Sequence, residues 1–79
     1  MSKMTYNIYP KYSQNKFKST CEQFEKNYPN FEKKDYNYDI LDGDQIATYS
    51  FSDGKEVQII NNYMVGAVWV ECNFDDLLL

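Results

Sequence analysis

Two carboxylate pairs, Asp42/Asp44 and Asp75/Asp76, and two cysteines, Cys21 and Cys72, are the residues of this chain best equipped for chemistry. A close carboxylate pair can hold a divalent cation or share acid–base work. Their settings favour plainer roles. Asp42 precedes Gly43 in a turn dipeptide, and Asp75 and Asp76 fall in a stretch, 75–79, expected to fray. The cysteines are far apart in sequence, form no C-x-x-C, and read as two buried thiols of a reducing compartment, bridged only if the fold brings them together. Histidine is absent. That removes the Ser/Cys–His dyad, the imidazole base and the imidazole zinc ligand. Neither G-x-G-x-x-G nor G-x-x-x-x-G-K-[ST] occurs, so no glycine loop is available to cradle phosphate. The expectation is a protein without catalysis, cofactor or metal.

Charge is the remaining chemical signal. Residues 1–34 carry seven of the eight lysines and only Glu22, Glu25 and Glu32, a net of +4; residues 35–79 carry Lys55 against nine acids, a net of −8. Such asymmetry bears on partners and association, not on fold. The lysines Lys3, Lys11, Lys16, Lys18, Lys26, Lys33 and Lys34, interleaved with Tyr6, Tyr9 and Tyr12, could track a single-stranded nucleic acid by charge and stacking. A net charge of −4 and the absence of arginine weigh against direct nucleic-acid binding. No apolar run is long enough for a membrane span, and the opening Met-Ser-Lys-Met-Thr-Tyr lacks the apolar core of a secretory signal, so a cytoplasmic chain is expected. Abundant Lys, Asn, Tyr, Ile and Phe are residues of A/T-rich codons, which points to a low-GC genome such as that of a Gram-positive bacterium or its phage.

Seventy-nine residues make a single domain over 1–79 with a modest core, reinforced by eight Tyr, five Phe and one Trp. Met4, Tyr6 and Ile8 alternate with Thr5, Asn7 and Tyr9, a strand ending at Pro10. Ser13 is a helix N-cap, with Tyr12 and Phe17 placed for a hydrophobic staple. Phe17, Cys21, Phe24 and Tyr28 form one apolar stripe that Pro29 ends, so a helix is expected over about 14–27.

Strands and turns follow. Tyr36, Tyr38 and Ile40 alternate with polar residues up to Asp42-Gly43, a two-residue hairpin signal, and 44–51 returns. A two-residue turn at Asp53-Gly54 would put Tyr49 and Val57 on opposite faces. A three-residue Ser52-Asp53-Gly54 loop with Gly54 left-handed pairs Tyr49 with Val57 and Ala47 with Ile59, and is preferred. Asn61-Asn62 reads as a third tight turn, and Met64 to about Asn73 as a central strand, apolar on both sides. The fold class is therefore α+β, one helix on a four- to five-stranded antiparallel meander in the order β-α-β-β-β-β. That order is similar to the cystatin/monellin arrangement, in which a sheet wraps one helix. The Q-x-V-x-G loop of cystatins is absent, the first hairpin reading Leu41-Asp42-Gly43-Asp44-Gln45, so the resemblance implies topology and no protease inhibition.

Alternation then sorts the strand residues. Tyr36, Tyr38, Ile40, Ala47, Tyr49, Phe51, Val57, Ile59, Met64, Val68, Val70, Cys72 and Phe74 make a core face for the helix. The other face gathers Asp35, Asp39, Asp44, Glu56 and Glu71, no lysine, and the apolar Ile46, Ile60, Val65 and Trp69. Either this is an ordinary solvated face, with the first strand or Leu77-Leu78-Leu79 folded over Trp69, or it is a partner-binding surface: tryptophan among aliphatics, rimmed by one sign of charge, suits a basic protein surface. The expected function is a non-enzymatic acidic inhibitor, encoded by a phage or mobile element, that blocks a nucleic-acid-processing or defence enzyme by imitating phosphate charge. In size, acidity and architecture the chain resembles small phage-encoded inhibitors of that kind. The alternative is a nucleic-acid-binding or self-assembling accessory protein, so both monomer and homodimer are expected states.

Overall fold

The computed structural model describes residues 3–79, in the order β1 (Met4–Tyr9), α1 (Gln14–Asn27), β2 (Lys33–Tyr38), β3 (Gln45–Ser50), β4 (Glu56–Asn62) and β5 (Ala67–Cys72). The five strands form one antiparallel sheet in the spatial order β1-β5-β4-β3-β2, with α1 on one face. This is the expected α+β architecture. Among the described residues no helix is long and apolar enough to cross a membrane.

The helix begins where its capping residue dictates. Ser13 is extended, and its hydroxyl accepts from the Lys16 N–H at 3.1 Å. Its own N–H is taken by Asn61 Oδ1 at 3.0 Å, tying the helix start to β4. The stripe of Phe17, Cys21 and Phe24, joined by Thr20, is buried against Ala47, Tyr49, Val57, Ile59, Val70 and Cys72 of the sheet. Phe24 is fully enclosed, 4.5 Å from the Tyr49 ring and 4.9 Å from that of Tyr28. The three-residue loop at 52–54 forms: Phe51 and Lys55 pair, Gly54 stands at φ +89°, and Tyr49 faces Val57 while Ala47 faces Ile59.

The remaining turns differ from expectation. Asn61 and Asn62 are the last residues of β4, opposite Val68 and Ala67, and Asn61 is buried. Its carboxamide is an interior anchor, Nδ2 donating to Gln45 Oε1 at 2.8 Å. The turn lies beyond, at 63–66. Asn62 Oδ1 accepts from the Val65 N–H, its carbonyl accepts from the Gly66 N–H, and Gly66 takes φ +72°. Met64 and Val65 are therefore turn residues, not strand residues. The first hairpin is longer than two residues as well. Asp39 pairs with Asp44, and Asp39 Oδ1 accepts from the Leu41 and Asp42 N–H groups, holding 40–43 as a loop. Ile40, assigned above to the core face, is consequently at the loop tip and 84% exposed.

Tyr36 and Tyr38 do lie on the helix side, yet both are half exposed, as all of β2 is open to solvent. Width explains it. Strands spaced about 4.8 Å apart make a five-stranded sheet about 19 Å across, wider than a helix about 10 Å in diameter. The helix packs over β4, the middle strand, so the outermost strand is left uncovered. In the C-terminal stretch Leu77 is buried in the core cluster and the Leu78 N–H donates to the Tyr28 hydroxyl at 2.9 Å.

Candidate protein-binding surfaces

The face opposite the helix is built by direct register. Trp69 pairs with Ile60 and Ile60 with Ile46, so three of the expected partner-binding residues stand in one row, flanked by Asn7 and Asn37. Ile60 is 8% exposed although no helix covers it, because its cross-strand neighbours close over it. Trp69 is half-buried, and its indole N–H donates to Glu71 Oε2 at 2.8 Å. The C-terminal stretch does not cover it, since it packs on the helix side.

The charge of this face is weaker than expected. Lys3 Nζ lies 2.8 Å from Glu71, whose carboxyl is held below the usual range by that ammonium and by the Trp69 indole. β2 starts at Lys33, which alternation puts on the same side, 3.5 Å from Asp35. Glu56 is exposed at the far end of the face. Asp39 and Asp44 belong to the loop end. The face is thus a small apolar row with its carboxylates largely matched by lysines, not five carboxylates without counter-ions.

The helix side carries a polar cluster. Glu25 Oε2 accepts from the Tyr49 hydroxyl at 2.6 Å and from Lys34 Nζ, which also stands 5.5 Å from the centre of the Tyr49 ring. The Lys34 ammonium, then the Tyr49 hydroxyl, hold the Glu25 carboxyl below its usual range; burial, then the Glu25 bond, push Tyr49 far up. Burial also raises the Cys21 thiol, so it is an inert thiol at neutral pH. The cluster clamps α1 to β2 and β3 beside an open groove of about 610 Å³. Cys21 and Cys72 are both free and buried.

The largest concentration of exposed apolar side chains is at the loop end. The 40–43 loop and the 63–66 turn meet there. Asp44 bridges them, accepting from the Tyr63 N–H at 2.8 Å and from Asn62 Nδ2 at 3.2 Å. Tyr12 braces both: its hydroxyl donates to the Gly43 carbonyl at 2.6 Å and its ring meets Tyr63 edge-on at 5.4 Å. On this base Leu41 is 90% exposed, Met64 83% and Val65 68%, beside Ile40 and Tyr63. Ile40, Leu41, Tyr63 and Met64 line one shallow cleft with Asp42. Three carboxylates stand with them; Asp39, then a degree of desolvation and Asp44, push the Asp42 carboxyl above its usual range. Large apolar side chains held in water on a braced scaffold, beside carboxylates that meet no lysine among the described residues, are the raw material of a binding surface.

Of the expected partner-binding residues, the structure groups Ile46, Ile60, Trp69 and Glu71 on the sheet face, with Asp35 and Glu56 at its margins. It moves Asp39, Asp44 and Val65 to the loop end. Reading the sequence by alternation missed Leu41, Tyr63 and Met64. Asp39 two residues ahead of Leu41, and Gly66 four after Asn62, were the available signals of longer loops. Among the described residues no group of three or more Cys, Asp or Glu side chains is placed to hold a metal ion. Comparison with protein-family models, with curated proteins and with solved structures found no match.

Proposed function

We propose that this chain is a non-enzymatic protein-binding module that docks through its acidic, apolar loop end onto a basic surface containing an apolar cleft. The observation that carries the reading is the joint exposure of Ile40, Leu41, Tyr63, Met64 and Val65 beside Asp39, Asp42 and Asp44. Folded chains seldom leave side chains of this size in water at one place unless something covers them. The carboxylates supply the sign: three negative charges within one loop end attract a cationic surface and speed its encounter. Basic surfaces with apolar clefts are common on enzymes that handle nucleic acid. Occupation of such a site by this loop end would make the chain an inhibitor of a nucleic-acid-processing or defence enzyme, of the kind phages and mobile elements encode.

The test is capture from host lysate on immobilised wild-type protein, run beside a Leu41→Asp/Met64→Asp variant and beside duplex DNA as competitor. The reading expects a basic protein retained by wild type, released by salt and by DNA, and absent from the variant. Retention that survives the double substitution, or a retained partner that is acidic and indifferent to salt, overturns it.

A further inference from the structure

We propose that the open edge of β2 is a self-recognition strand, pairing antiparallel with β2 of a second copy about a two-fold axis through Tyr36. The two edges of the sheet are unlike. β1 is interrupted by a bulge between Asn7 and Tyr9 and stopped by Pro10, devices that blunt an edge. β2 runs six residues in unbroken register with β3, without proline or bulge, and is exposed along its length.

The backbone fixes which groups that edge offers. The Asp39 N–H donates to the Asp44 carbonyl, and the Phe51 N–H donates to Lys55 on the other side of β3. Alternation then turns the N–H and C=O groups of residues 33, 35, 37 and 39 toward β3 and those of Lys34, Tyr36 and Tyr38 outward. Three outward residues centred on Tyr36 are symmetric about it. Pairing Tyr36 with its own copy, and Lys34 with Tyr38 of the copy, satisfies all three on both strands, about six hydrogen bonds.

Side chains select the same register. With Tyr36 on the axis, Lys33 faces Asp39 of the copy twice over, Asp35 faces Asn37, and on the helix side Lys34 meets Tyr38 and Tyr36 meets Tyr36. Shifting by one step in one direction opposes Asp35 to Asp35; the other direction opposes Asp35 to Asp39 twice. Each shift also leaves outward groups of one residue per strand unpaired. Like charges directly opposite across strands destabilise a pair, so of these three registers the Tyr36-centred one alone is free of conflict. Asp39 can serve both roles, because the loop N–H groups of Leu41 and Asp42 are held by its Oδ1 alone. The axis is normal to the sheet. The product is a continuous ten-stranded sheet with both helices on one face and the two loop ends at opposite extremes, which makes the module bivalent.

The experiment is sedimentation velocity from about 10 μM to about 1 mM, the range expected of a weak strand-edge dimer, with amide exchange at both ends of that range. The expected result is a shift from monomer to dimer with concentration, and protection gained by the Lys34, Tyr36 and Tyr38 amides alone on β2, because those of Asp35 and Asn37 are already bonded to β3. Tyr36→Pro removes an outward N–H and no ladder bond, so it should stay folded by circular dichroism and remain monomeric throughout. Lys33→Glu, which cannot disturb the fold through the backbone, should weaken the dimer by about tenfold through its two symmetric contacts. A monomer at 1 mM, a dimer that survives Tyr36→Pro, or protection gained elsewhere overturns the proposal. The loop end shares Asp39 alone with this edge, and its apolar contacts are tested separately, by capture.

Discussion

Beneath the helix, Phe24, Tyr49, Val57, Ile59 and Val70 are withdrawn completely from water; at the loop end of the same sheet Ile40, Leu41 and Met64 are almost wholly in it. Side chains of comparable size and hydropathy thus have opposite fates within one small domain. The difference follows from geometry. One helix closes over the middle strands and is clamped there by Ser13, Asn61, Glu25 and Tyr49, whereas the loops project past anything that could cover them. The covered half has spent its apolar surface on stability. The loop end has not, and its backbone is nonetheless fixed by Asp39, Asp44, Asn62 and Tyr12. A rigid base under unburied apolar groups is what a binding surface requires, since little ordering entropy remains to be lost on association.

Substitutions should separate the two regions. Phe24→Ala should have the largest effect on folding, about 3–5 kcal/mol by urea unfolding, because it empties a fully enclosed site ringed by Tyr28, Tyr49 and Phe51. For a domain this small, much of the population should unfold. Ile40→Ser/Leu41→Ser/Met64→Ser should do the reverse, leaving stability within about 0.5 kcal/mol per site while weakening partner binding by at least about a hundredfold. A large loss of stability in that triple variant would mean that the loop end is core, not surface.

Charge gives smaller effects. Asp39→Asn/Asp42→Asn/Asp44→Asn keeps an oxygen for the backbone N–H groups of Leu41, Asp42 and Tyr63, gives up the bond from Asn62 Nδ2 to the second Asp44 oxygen, and removes three charges. It should slow association with a basic partner about tenfold at low salt and flatten the salt dependence, as read by stopped flow. Glu25 offers the smallest effect and a signed pH dependence. Its folded carboxyl titrates below its unfolded value, so its contribution is complete above about pH 4.3 and is lost as pH falls through the depressed folded value. Glu25→Gln should cost about 0.5–1 kcal/mol at pH 7, allowing for its part-exposed side chain, and should remove that portion of the acid sensitivity.

Much of the covered half was legible in the sequence because local and long-range signals agreed there. Ser13 and Pro29 bounded the helix, and only one loop length at Ser52-Asp53-Gly54 kept Tyr49 opposite Val57. The exposed half was hidden because alternation carries no end mark. Ile40 and Met64 continue the apolar beat of Tyr36-Tyr38 and of the last strand, so counting by twos sent them to the core. Side-chain-to-backbone bonds at Asp39 and Asn62 turn the chain early, and their only marks in the sequence, Asp39 ahead of Leu41 and Gly66 after Asn62, are weaker than the apolar beat that runs through them. The exposure of Tyr36 and Tyr38 depends on the width of a helix relative to a sheet, a quantity no strand pattern contains. The charge of the open face was misjudged through Lys3 and Lys33, each lying just outside the segment counted.

The most direct test of the central claim sets the two candidate surfaces against each other on the captured partner. Titration calorimetry would compare wild type with Leu41→Asp at the loop end and with Trp69→Ser on the open sheet face. The account predicts that Leu41→Asp abolishes measurable heat while Trp69→Ser stays within about threefold of wild type, as expected away from the contact. Loss of binding by Trp69→Ser with Leu41→Asp unimpaired would contradict it and return the binding surface to the sheet.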